Sequence, residues 1–257
     1  MGYIPPPSGS RVTQGLIAYW IFDEKSGNIV VDQIGSTDLT LSGDYSWLTG
    51  TNGLFVTNGR GVAPGTEIIT ALKASNRFTL EVWVEPANLT QTGPARIFAI
   101  TQDPSYHNMH LGQYTNDTVT GGVSLRINKR VGGTNTYVTD ANLTLNMTHL
   151  VYVFDGTDKL LYINGALHGT YPAAADPAIP LILADSWTDT DMIVIANENN
   201  PEGLPDNDRP YTGLYKQIAL YNRVLTQEEV TINYNVGANI IEGIMPPDSP
   251  TNIRFEQ

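Results

Sequence analysis

Apolar positions along this chain recur mostly with a period of two, in short runs closed by turn residues. Phe78–Pro86 is the clearest case. Phe78, Leu80, Val82 and Val84 fall on one face, and Thr79, Glu81, Trp83 and Glu85 on the other. Comparable runs predict strands at Gly15–Phe22, near 28–31, 38–41 and 53–57, and at Arg96–Thr101, His110–Tyr114, Val123–Lys129, Thr136–Thr139, Met147–Phe154, Lys159–Ile163, Met192–Ala196 and Tyr211–Tyr221. Gly, Asn, Asp and Ser clusters separate them, and Asp155-Gly156 and Asn164-Gly165 read as hairpin turns. One helix signal stands out. Thr226 followed by Glu229 makes a capping box, and Val230 and Tyr234 supply an apolar i, i+4 pair. Many short strands with one short C-terminal helix predict an all-β, two-sheet antiparallel sandwich. If one face of Phe78–Pro86 is core and the other solvated, Val82→Asp abolishes folding and Thr79→Asp is tolerated.

The pattern changes at both ends. Residues 1–14 read as an extended arm, with Pro5-Pro6-Pro7 favouring polyproline II and Ser8-Gly9-Ser10 a hinge. The sandwich is expected over 15–240, and 241–257 as a Pro-rich linker with a terminal strand. Extended arms add strands to open sheet edges, so Tyr3, Ile4, Ile253 and Phe255 are candidate assembly contacts with other subunits of an oligomer or virion lattice.

The length of 257 residues fits one large all-β domain. The chain has no cysteine, which excludes disulfides, thiolate catalysis and Cys-ligated zinc. The net charge of −12, with no cluster of Lys and Arg, argues against nucleic acid and anionic membranes as partners. No run approaches the roughly 20 apolar residues of a membrane span, so no membrane insertion is expected. The first residues lack the basic and apolar regions of a signal peptide.

Four segments in order resemble bacterial laminin-G-like, concanavalin A-like jelly rolls. Ala18-Tyr19-Trp20-Ile21-Phe22-Asp23-Glu24 is similar to their opening strand, and Phe78–Val84 to their central strand with its Trp. His149–Phe154, Asp155-Gly156 and Leu161-Tyr162-Ile163-Asn164-Gly165 are similar to their hairpin. Tyr211–Leu214 and Leu220–Glu229 are similar to the last strand and trailing helix. The resemblance spans about 15–235 and implies a jelly roll. It also implies non-catalytic recognition of glycans and extracellular proteins; an outward-facing fold without an export signal suits an extracellular or virion surface. The resemblance further brings a structural calcium ion, held between an acidic loop after the first strand and an acid in the last. Asp32 and Asp38 are the candidate metal ligands in that loop, but Lys216 stands where the second acid is expected. An ammonium cannot ligate a cation, so Lys216 is expected to replace the calcium beside Asp32 and Asp38, and no cofactor is assigned.

Glucanases of the same superfamily carry Glu-x-Asp-x-Glu on one strand. Glu81 and Glu85 match the outer spacing, with Trp83 between them. Their Cα atoms would lie about 13 Å apart in an extended strand, whereas a retaining pair needs carboxyl groups about 5–5.5 Å apart. Catalysis is therefore not expected, and the pair reads as a solvated strand face. Sugar recognition needs aromatic platforms beside hydrogen-bonding groups. Tyr45 and Trp47, Tyr106 and His107, and Trp187 and Asp189 are the candidate ligand-binding residues, each weighed against a core or cap role. His107 and His110 lack a third metal ligand and read as a polar loop, as does Asn197–Pro210. The functions that remain are a glycan- or protein-binding adhesion module, a decoration or fibre protein of a virion, and last a glycan-active enzyme.

Overall fold

A computed structural model describes residues 10–91, 93–103, 106–129, 133–141, 143–173, 181–201 and 208–238, with the main chain alone for 128, 129 and 133–138. Tyr3, Ile4, Ile253 and Phe255, and the assembly role read for them, lie outside the described residues. The chain runs through β1 (Leu16–Trp20), β2 (Ile29–Val30), β3 (Leu39–Trp47), β4 (Leu54–Pro64), helix α1 (Thr66–Ser75), β5 (Phe78–Pro86), β6 (Ala95–Thr101) and β7 (His107–Tyr114). It continues through β8 (Gly122–Lys129), β9 (Gly133–Val138), β10 (Thr148–Phe154), β11 (Asp158–Ile163), β12 (Ala166–Pro172), the single turn α2 (Leu183–Ser186), β13 (Met192–Ile195), β14 (Gly213–Tyr221) and α3 (Gln227–Val236).

The strands form one curled sheet in the order β12-β11-β10-β5-β14-β4-β13-β6-β7-β8-β9, with β1 paired to β14 and β3 to β4. The pairings are antiparallel, and β5 lies between β10 and β14, so Glu81 is opposite both Val151 and Ala219. Curling brings Leu80, Val82, Tyr152 and Leu220 from one half against Phe98, Leu111, Leu125 and Ile193 from the other, in one buried core. This is the all-β antiparallel architecture that the period of two predicts and the jelly roll that the resemblance implies.

A second apolar layer lies on the outer side of β5, β10 and β14. Tyr19, Val151, Val153, Ala219 and Tyr221 are covered there by Val12, Leu225 and Val230. β5 is thus enclosed on both faces, with Thr79 and Glu81 as inaccessible as Leu80 and Val82. This corrects the expectation of a solvated face. Arg11 and Val12 are buried as well, so the packed domain begins within the segment read as an arm.

Helix α3 covers this layer. Thr226 Oγ1 accepts the Glu229 N–H at 3.2 Å, and Glu229 Oε2 accepts the Thr226 N–H at 2.9 Å. The predicted capping box is present. Thr226→Ala should cost about 1 kcal/mol, read as a fall of about 2–4 °C in Tm for a chain of this size. The helix docks on the Asn164-Gly165 turn, where Gly165 O accepts from Gln227 Nε2 at 2.7 Å. Both turn residues have positive φ, 49° and 82°, as the predicted hairpin requires. A Cβ at Gly165 would lie 2.9 Å from the Tyr234 ring. Helix α1 was not predicted. Its N-cap is Gly65, which makes no side-chain cap bond, and its apolar residues Ile68 and Ile69 are β-branched, so neither a start signal nor propensity marks it. Packing of Ile68, Ile69 and Leu72 into the core supplies what propensity does not.

Candidate functional site

Glu81 is the hub of the outer layer. Its Oε1 accepts from Arg11 Nη1 at 2.5 Å, His149 Nε2 at 3.0 Å, and Trp83 Nε1 and Gln217 Nε2 at 3.3 Å; its Oε2 accepts from Asn233 Nδ2 at 2.8 Å. Burial alone would push the carboxyl up. The Arg11 guanidinium and the His149 hydrogen bond outweigh it and hold Glu81 well below the usual carboxylate range. Arg11 also donates to Gly237 O at 2.6 Å, tying the start of the domain to the end of α3. Asn233 continues the network, its Oδ1 accepting the Val12 N–H at 2.9 Å. Trp83 is fixed by the same cluster: Tyr234 stacks parallel on it at 5.8 Å and His149 lies 4.7 Å away. Glu85 is half-buried and outside this network. The two carboxylates do not converge.

A second polar cluster covers the outer face of β6, β7 and β8. Arg96 Nε donates to Glu198 Oε2 at 2.9 Å, both residues buried. Arg60 donates to Glu198 O at 2.9 Å and Asp208 Oδ1 at 3.0 Å. His110 Nε2 lies 3.0 Å from Ser124 Oγ; burial and then Arg96 hold the imidazole well below its ordinary pKa. Burial and Arg96 also lower Arg126, to about 10. The described ends of loop 197–210 are therefore anchored, with Asn197, Glu198 and Asn200 buried. These residues are buried, unlike the polar loop read from the sequence. His107 and His110 are buried on strand β7 and do not form a polar loop.

The ligand-binding candidates do not come together. Tyr45 Oη and Trp47 Nε1 both donate to Gly27 O, at 3.2 and 2.9 Å, and their rings lean on the core. Tyr106 is 54% exposed and its neighbour His107 is buried. Trp187 is buried, its ring 6.0 Å from Phe78, so it is a core aromatic and not a platform. Asp189 is at the surface, paired with Lys73 at 2.8 Å. Asp189→Ala should cost less than about 1 kcal/mol, as exposed pairs do, with a melting curve nearly superimposable on wild type.

The calcium candidates do not fit a cation. Asp32 Oδ1 accepts the N–H groups of Tyr19 at 2.9 Å and Ile34 at 3.1 Å, and Oδ2 that of Thr37 at 3.3 Å. Asp38 Oδ1 accepts the Asp32 N–H at 2.8 Å. These carboxylates fasten their own loop. Lys216 is not beside them, which corrects the expected substitution: it donates to Thr51 Oγ1 at 3.4 Å and to Asn52 O. Among the described residues no group of three or more His, Cys, Asp or Glu could hold a metal ion. Nor is any described helix long and apolar enough to cross a membrane.

Two open clefts are lined by described residues. One, about 630 Å³, lies between Asn76, Arg77, Asp155, Ile182 and Arg223. The other, about 510 Å³, is lined by Lys25, Gly50, Thr51, Asn52, Trp83, Met147, Lys216 and Ala238. The sequence reading missed the second cleft. Its residues come from separate turns and strands, and the only signal was Lys216 standing where an acid was expected.

The laminin-G profile Laminin_G_3, described as the concanavalin A-like lectin/glucanases superfamily, matches residues 57–231. The chain belongs to this superfamily. No curated protein matches it. Among solved structures it is similar to botulinum neurotoxin type C, from work on its interaction with two ganglioside molecules, at 13% identity and a TM-score of 0.64 over 86% of this chain and 51% of that one. It is also similar to domain 4 of AbnA, an extracellular arabinanase from Geobacillus stearothermophilus solved with arabinotriose, at 19% identity and 0.58 over 84% and 96%. Trypanosoma rangeli sialidase matches at 15% identity and 0.58 over 87% and 33%. The chain thus spans about half of the toxin chain and nearly all of the arabinanase domain. At these identities the likeness is one of fold.

Proposed function

We propose that this superfamily member is a non-catalytic module that recognises carbohydrate at an extracellular surface. The observation that carries the reading is the state of Glu81. It is the first carboxylate of the glucanase-like spacing, with Glu85 four residues on and Trp83 between them, and it is fully buried, ionised and bonded by five side chains. A group so held reaches no substrate and has no proton to give at neutral pH. What the fold leaves open is surface clefts of a size suited to one or two sugar units. The whole-domain likeness to the arabinotriose-bound arabinanase domain and the half-length likeness to a toxin that interacts with gangliosides support carbohydrate as the ligand class.

The test pairs a glycan array with an assay for release of reducing sugar from every glycan that binds. Binding without product release is expected. Product release that disappears in Glu81→Gln, in a variant shown to remain folded, would overturn the reading in favour of an enzyme.

A further inference from the structure

The cleft at Lys216 has an unusual charge for this molecule. The protein carries a net charge of −12, yet the cleft lining contains two lysines and no carboxylate. Lys25 Nζ donates to Asn52 Oδ1 at 2.6 Å, and Lys216 Nζ donates to the Asn52 carbonyl and to Thr51 Oγ1. Two ammonium groups are thereby brought to one residue, and among the described residues neither has an ion-pair partner within 4.0 Å, although the Glu85 charge acts on Lys216 from outside the lining. The other cleft differs, since Asp155 lines it and Arg223 is matched by Glu229 at 2.7 Å.

The backbone is shaped to produce this pairing. Lys216 falls at the register shift between Tyr215 and Gln217, where β14 has one residue more than its partner β5. A bulge of this kind re-aims the side chain it carries, here toward the 50–52 loop. Lys25 has φ 66°, and Phe22, whose carbonyl accepts the Gly53 N–H at 2.7 Å, has φ 51°. Left-handed backbone at non-glycine residues is unfavourable and persists where the surroundings enforce it. Proximity of the two cations is itself unfavourable: burial and then Lys25 lower the Lys216 pKa. Trp83 and Met147 also line the cleft, and the stack on Tyr234 with the Nε1 bond to Glu81 keeps Trp83 from shifting.

We propose that this cleft binds an anionic saccharide, with Lys25 and Lys216 taking the carboxylate or sulfate, Thr51 and Asn52 the hydroxyls, and the edges of Trp83 and Met147 the C–H face of the ring. The inference rests on the recognition reading above and names its ligand class. The acidic surface outside the cleft repels long polyanions, so the occupant is a single charged sugar or a short oligosaccharide. Each lysine retains donors beyond those it spends on Thr51 and Asn52, which leaves hydrogen-bonding capacity for the anion.

The test is titration calorimetry on the full chain with short oligogalacturonate and its methyl-esterified form, and with a sulfated oligosaccharide and its unsulfated form. At least one charged sugar should bind about tenfold or more tighter than its neutral counterpart. Lys25→Gln and Lys216→Gln should each weaken it about tenfold, the loss of one charge-assisted hydrogen bond. The double variant should bind charged and neutral forms alike while keeping the wild-type Tm. The carboxylate and sulfate arms separate the two sources of charge. Equal binding of charged and neutral forms by wild type, or a preference that survives in the double variant, would overturn the inference and leave recognition standing. Binding of no saccharide, charged or neutral, here or on the array, would sink both.

Discussion

Arg11→Ala should destabilise the protein by about 3–5 kcal/mol, the usual cost of leaving one member of a buried ion pair without its partner. For a chain of this length that is a fall in Tm of roughly 10 °C. Arg11 and Glu81 side chains are both inaccessible, so neither charge recovers solvation when the other is removed. Glu81→Gln should be nearly as costly, because it strands the guanidinium. The double variant Arg11→Ala, Glu81→Gln should recover part of the loss, since an amide needs no counter-charge. The sign of the pH dependence follows from the lowered Glu81 pKa. A carboxyl whose folded pKa lies below its unfolded value contributes stability that is full above the unfolded value, about 4.3, and is lost as pH falls through the folded one. The gap in Tm between wild type and Glu81→Gln should thus be widest near neutral pH and shrink on acidification below about pH 4. A gap that does not change with pH would mean that Glu81 is not ionised in the folded protein.

The same pair shows where sequence reading stops. A period of two in Phe78–Pro86 identifies the inward face, and the turns and the capping box leave local marks, whereas the strand order does not. The second layer leaves none. It is covered by Val12, Leu225 and Val230, residues far from β5 in sequence, and a polar residue such as Glu81 reads as solvent-facing until the cation that neutralises it is located. Arg11 sits in a stretch whose Pro, Gly and Ser content suggests a free arm. Only the long-range register shows that it reaches across 70 positions to Glu81. Aromatic candidates fared according to base composition of the core: Trp187 is buried because large aromatics usually are. The cleft at Lys216 required a bulge, a left-handed Lys25 and the 50–52 loop together, and none of these has a sequence signature of its own.

Substitutions on the two faces of β5 discriminate most sharply between a one-layer and a two-layer sheet. Val82→Asp places a carboxyl in the main core beside Leu150 and Ile218, its cross-strand partners. No donor is at hand, so the group must enter neutral or disrupt the core. The expected cost exceeds about 5 kcal/mol, comparable with the whole stability of many domains, and no cooperative melt should be seen. A sheet with one solvated face would tolerate Thr79→Asp. Here Thr79 is fully buried, and its Oγ1 donates to Arg223 O at 2.8 Å while accepting the Leu225 N–H at 3.0 Å. Asp would keep the acceptor and lose the donor, leaving a carboxylate against a buried carbonyl. Thr79→Asp should therefore also lose its cooperative transition. Thr79→Val, which preserves shape and removes both bonds, should cost about 1–3 kcal/mol for each backbone group left unpaired. Circular dichroism melts of the three variants decide the matter. A Thr79→Asp protein that melts like wild type, beside a Val82→Asp protein that does not fold, would show that α3 and the Arg11 segment do not cover β5 in solution.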